Sequence, residues 1–303
     1  MNWFILALLA PLAWSIANYL DKFILSKSRG AEGGSGGLLV LSSFVSLAFA
    51  IVLGLINGPK FNLDSQHAGA LVLSGMFEAV YLLFYFYALE EESAATVISL
   101  FQFAPIFGLI FGYLILGEVP TGLQLGAVAL VLAGTLCIVI KKEKGSRINM
   151  HVVLLMLVST VFVAIYSTVF KLAGEGVDFW AAVFWQYLGI GAVGFLLYFG
   201  VPVYRRQFHA MVSGRSKAVL ALTGMAEGMN ILALIATNAA VLLAPVALVL
   251  SVSSVQPIFV LLEGFLLIKL VPGFIQEDER PHLHMRYIIG IVLVCIGGFL
   301  VYQ

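Results

Sequence analysis

The chain has 303 residues, 61% of them hydrophobic and only 11% charged, with zero formal net charge. A soluble domain of this size carries about a quarter charged residues, so that class is excluded, and the neutral balance gives no footing for a nucleic-acid partner. With a mean hydropathy of +1.05 and apolar runs near the ~20 residues that cross a bilayer as a helix, the chain reads as an all-α integral membrane protein.

Apolar runs place ten helices, at 3–25, 38–56, 68–89, 93–116, 121–140, 151–172, 179–201, 217–238, 242–268 and 286–302. The first has no basic residue ahead of it, and Lys22, Lys27 and Arg29 follow its apolar run. It therefore reads as an uncleaved span rather than a signal peptide, and the last span reaches the end with no soluble domain beyond it. Gly30–Gly37 lacks the Gly-Lys-Ser/Thr ending of a phosphate loop and follows no strand; a flexible connector between the first two spans is the simpler reading. The fourth and ninth spans each contain a proline, Pro105 and Pro257, which removes a backbone donor and predicts a kink. Cys137 and Cys295 lie in predicted spans and read as small packing residues, with no disulfide framework or zinc spacing.

Charge distribution sets the orientation. Lys27 and Arg29, then Lys141, Lys142, Lys144 and Arg147, then Arg205, Arg206, Arg215 and Lys217, then Lys269, Arg280 and Arg286 all fall on odd-numbered loops. The positive-inside rule puts those loops in the cytoplasm and both termini outside, with the plasma membrane as the expected location. Lys22 and Lys171 fall inside spans instead.

The two halves carry matching residues at one constant offset: Lys22 with Lys171, Glu78 with Glu227, Asn18 with Ser167, Ser74 with Thr223 and Tyr81 with Asn230. Five spans per half is an odd number, so the second half enters from the opposite side. The expected architecture is ten transmembrane helices as two inverted five-helix repeats, residues 1–145 and 146–303. Ser74, Glu78, Tyr81 and Tyr85 recur three or four residues apart, which aligns them on one helical face. Ser15, Asn18 and Lys22 do the same on the first span. An ionised group in hydrocarbon costs on the order of 3 kcal/mol on the lenient insertion scale. Polar stripes on apolar helices should therefore turn inward and line a shared chamber. Gln102 and Gln256 sit beside the prolines and are candidates to satisfy the freed backbone or a substrate; Trp14, Tyr81 and Tyr85 are deep enough to touch one. Blander readings stand beside these. Each lysine can snorkel to the headgroups, each glutamate can belong to a structural Glu–Lys pair or sit neutral and hydrogen-bonded, and Asp21 and Glu263 can be interfacial charges.

Phe103-Ala-Pro105-Ile-Phe107, Val255-Gln-Pro257-Ile-Phe259, Leu116-Gly117-Glu118 and Asn18-x-x-Asp21-Lys22, with the ten spans, resemble the drug/metabolite transporter superfamily in its EamA-type branch. The resemblance implies a path lined by the first, third, fourth, sixth, eighth and ninth helices. The second half departs from it, with Ile268-Lys269 where a Gly-Glu is expected and then a polar insert at 272–284.

These residues predict a secondary transporter that moves a small polar metabolite by alternating access, proton-linked through Glu78 and Glu227 or facilitative. An amino acid or another carboxylate-bearing cargo would suit a chamber holding both charge signs. The expected partners are that substrate, protons and the lipid bilayer; nothing sets the oligomeric state. No catalytic motif, metal ligand set or cofactor site is expected: His-Glu-x-x-His and Gly-x-Ser-x-Gly are missing, and His282 and His284 sit in a charged loop. The alternative is a non-transporting scaffold or sensor whose buried charges are structural ion pairs.

Overall fold

A computed structural model describes residues 2–28, 34–139, 149–213, 217–270 and 285–302, and every described element is a helix. The join at 140–148 and the insert at 271–284, with His282 and His284, lie outside the described residues. The first half contains α1 (Trp3–Ser28), α2 (Ser35–Asn57), α3 (Ser65–Glu91), α4 (Ala94–Leu100), α5 (Ala104–Phe111) and α6 (Gly122–Val139). The second contains α7 (Met150–Gly174), α8 (Phe179–Gly200), α9 (Pro202–Val212), α10 (Lys217–Val241), α11 (Val246–Ser253), α12 (Gln256–Leu270) and α13 (Met285–Tyr302). Eight spans among the described residues are long and apolar enough to cross a membrane; α6 is a shorter apolar helix. Each of the ten predicted spans is present as a helix or a pair of short helices.

The fourth and ninth spans bend where the sequence predicts, each through a short tight turn. α4 passes into a 3-10 turn, Phe101–Phe103, and α5 follows from Ala104, with the cap residues at this junction all in the right-handed helical region. Pro105 thus sits in a first helical turn, where its missing N–H costs nothing. Pro257 is likewise the second residue of α12.

Three departures from the sequence expectation have physical causes. Residues 202–212, read from sequence as loop, form α9. Pro202 starts this helix, and Arg205 and Arg206 are exposed on it. Ser35–Gly37, read as connector, are the first turn of α2. Their glycines are contact surfaces: a Cβ at Gly37 would lie 2.7 Å from the Gln207 backbone, so α9 rests directly on α2. The ninth span starts at Val246 rather than 242, because α10 runs on to Val241 and a turn follows.

Packing follows the repeat. α1 lies along α10 and α3 along α7; α2 lies along α8 and α6 along α13. Exchanging the two halves turns the first two pairs into each other and each of the last two into itself. One pair breaks the rule. α3 packs closely on α8, while its counterpart, α10 on α2, barely touches. A Cβ on Gly75 of α3 would collide with the Gln186 carbonyl oxygen, and one on Gly189 of α8 with that of Val72. Gly224, the repeat mate of Gly75, has nothing within 4 Å of such a Cβ, and neither has Gly228.

The α6–α13 contact also depends on small residues. A Cβ at Gly134 would sit 2.7 Å from the Gly290 carbonyl oxygen. Small residues let helix backbones approach this closely in membranes. Gly134→Leu should therefore destabilise the protein by roughly 1–3 kcal/mol through overpacking, read as a lower unfolding temperature in detergent; Gly126→Leu, at a site with nothing within 4 Å, should leave it unchanged.

Candidate functional site

Two adjoining cavities sit at the centre of the bundle, each about 360 Å³ including the part open to solvent. They share Trp14, Tyr81, Leu82 and Asn230 as walls. One of them is lined by both Glu78 and Glu227, which are 5% and 3% exposed. The other is lined by Asn18, Tyr85, Gln256 and Asp21.

Each glutamate is held by the second helix of a repeat. Gln186 Nε2 on α8 donates to Glu78 Oε2 at 3.0 Å, and Asn238 Nδ2 donates to Gln186 Oε1 at 2.5 Å. Ser42 Oγ on α2 donates to Glu227 Oε1 at 2.5 Å. These partners were not visible in the sequence, since Ser42 and Gln186 carry no offset that matches the rest. Neither glutamate is paired with Lys22 or Lys171.

The lysines serve helix ends. Lys22 Nζ donates to the carbonyls of Leu89 and Glu92 at 2.8 and 2.7 Å, where α3 ends. Lys171 Nζ donates to the Ala244 carbonyl at 2.7 Å, just past α10, and pairs with Glu118 Oε1 at 2.7 Å. The last carbonyls of a helix lack intrahelical partners and carry partial negative charge, so a cation belongs there. Both intramembrane lysines thus meet carbonyls at helix ends, and neither lines either cavity.

Glu118 explains the Gly117-Glu118 motif. Gly117 adopts φ +67, a left-handed conformation that suits glycine and ends the π-turn Gly112–Leu116. The chain folds back so that Glu118 Oε2 accepts from Val246 N–H at 2.9 Å, at the start of α11. One carboxylate therefore ties the fourth span to α7 and to the ninth span.

Other candidates are structural. Ser74 Oγ donates to the Tyr166 carbonyl at 2.9 Å. Gln102 Nε2 donates to the Ile98 carbonyl at 2.9 Å, satisfying backbone at the break. Ser167 is fully buried and lines neither cavity. Ser15 turns away, donating to Glu263 Oε1 at 2.7 Å. Asp21, which the sequence allows as an interfacial charge, is buried and lines a cavity. Trp14, Asn18 and Asp21 form a stripe with helical spacing as good as that of Ser15, Asn18 and Lys22, and it is the former that faces the cavity.

Residues 1–140 match the family model of EamA-like transporters. The first repeat is of the EamA type. The matched stretch includes Glu78, Asn18 and Asp21. No curated protein matches the sequence. Among solved structures, one described only as "Crystal structure of protein" aligns over 98% of this chain and 95% of its own, at 18% identity and a TM-score of 0.58. That similarity carries the fold across both halves, beyond the end of the EamA match. The chain is a multi-pass helical integral membrane protein.

Lys171→Met should leave Glu118 buried without its cation and cost about 3 kcal/mol. Adding Glu118→Leu should recover most of the loss. A double-mutant cycle by thermal unfolding in detergent measures the coupling.

Proposed function

We propose that the protein is a secondary transporter that carries a small polar solute across the membrane by alternating access, with Glu78 and Glu227 exchanging protons. The two halves, 1–145 and 146–303, act as the moving bodies. The observation that carries this reading is the most unequal of the repeat-related helix contacts. Inverted repeats have two equivalent ways to pack, related by exchanging the halves. Here α3 is sealed on α8 at Gly75, and α10 stands off α2 at Gly224. The opposite arrangement would seal α10 on α2 and release α3 from α8.

With the basic loops inside, the sealed contact lies toward the outer face, and so does the Lys171–Glu118 clamp. In sequence the Gly117-Glu118 pair of the first half is answered in the second by Ile268-Lys269. The central cavity then faces inward. Burying an unpaired carboxylate costs several kcal/mol, and the described hydrogen bonds of Glu78 and Glu227 come from neutral side chains. Proton uptake relieves that cost, and release on the other side completes a cycle.

Three variants in proteoliposomes test the proposal. Gly224→Leu should fold normally, because its site is open, yet reduce exchange by about tenfold or more by blocking the second packing. Glu78→Gln and Glu227→Gln should each flatten the pH dependence of exchange. If all three behave as wild type, the chain does not work by this cycle, and the scaffold reading with purely structural charges takes its place.

A further inference from the structure

We propose that the central cavity is a binding site for a small organic cation, a primary or quaternary ammonium, with Asp21 as its counter-charge. The proposal rests on the transporter reading for its purpose, but the site stands on its own geometry.

Asp21 is 2% exposed and lines the cavity, and its Oδ1 has no hydrogen-bond partner. An ionised oxygen left this way is costly unless a partner arrives. Asn18 Nδ2, one turn earlier on the same face, also lacks a partner, while its Oδ1 accepts from Tyr85 Oη at 2.6 Å. That leaves one unpartnered carboxyl oxygen, able to carry the negative charge, and one unpartnered donor a helical turn away.

The surroundings select the sign of the ligand. Glu227 and Glu78 line the adjoining cavity. Among the described residues, neither cavity has Lys, Arg or His in its wall. A carboxylate cargo would meet three acids and no cation. The lysines that would have received it are engaged at helix ends. Four further walls are aromatic, Trp14, Tyr81, Tyr85 and Phe101, beside Leu82, Ile98, Asn230 and Gln256. Aromatic faces attract cations through the ring quadrupole, tryptophan most strongly, and they favour an organic ammonium over a tightly hydrated inorganic ion. Asn18 Nδ2 supplies a donor for an oxygen on the same ligand.

The test uses purified full-length protein and follows its unfolding temperature with propylammonium, tetramethylammonium, propionate and sodium, each as a separate arm. A ligand that binds the native state raises that temperature with concentration. The two ammonium ions should do so, and propionate and sodium should not. Asp21→Asn should weaken the ammonium response about tenfold or more, while Asp21→Glu should keep it. If Asp21→Asn does not fold, the contrast between propylammonium and propionate on the native protein still decides. Stabilisation by propionate but not by ammonium, an ammonium response unchanged in Asp21→Asn, or a response to sodium alone would each overturn the proposal.

Counterflow of radiolabelled propylammonium and propionate in proteoliposomes separates this proposal from the transport reading. Binding of ammonium without exchange of any probe keeps the site and removes the transporter. Exchange of propionate but not propylammonium keeps the transporter and removes the cation site.

Discussion

A polar or charged group inside hydrocarbon must find its partner within the protein, because lipid offers none. In this bundle that requirement decides where almost every charge goes. Lys22 and Lys171 are spent on carbonyls at helix ends, which would otherwise be unsatisfied. Glu118 is spent on Lys171 and on the first N–H of α11. What remains is a set of carboxyls at the centre, Asp21, Glu78 and Glu227, whose described partners are neutral side chains or none. The interior is therefore divided into positive ends and an acidic middle, and this division gives the cavity its chemistry.

Close backbone packing is the second constraint, and it follows from the same solvent. Lipid tails are as apolar as leucine side chains, so helices associate through fit rather than water exclusion. Glycines at 75, 134 and 189 let backbones touch where a Cβ would collide. Gly224 and Gly228 have no such neighbour, although they occupy the matching stretch of the second repeat. The two halves therefore differ in how tightly their matching helices pack, close at α3 on α8 and open at α10 facing α2.

The bent spans link the two themes. α4 and α5, and again α11 and α12, meet at Gln-containing turns beside proline, so backbone groups come free near the centre. Gln102 returns its amide to the Ile98 carbonyl and closes the gap. Gln256 instead faces the cavity beside Asp21. The two glutamines, three residues and one residue before their prolines, thus have different surroundings, one bonded to backbone and one in a cavity wall.

Much was legible in the linear chain. Length and hydropathy fix the number of spans, because the bilayer sets how many apolar residues a helix needs. The constant offset between Glu78 and Glu227 reveals the duplication, and helical periodicity puts both on inward faces that do meet at one cavity. Periodicity could not choose between the stripe of Ser15 and Lys22 and that of Trp14 and Asp21, since a helix turns only about 100° per residue and adjacent stripes overlap. Nor could it say that the lysines reach carbonyls of α3 and the turn after α10, that Ser42 and Gln186 hold the glutamates, or that α9 lies on Gly37. Those partners are far apart in sequence and are brought together only by helix packing, so tertiary structure alone decided the sign of the cavity and the side on which it is sealed.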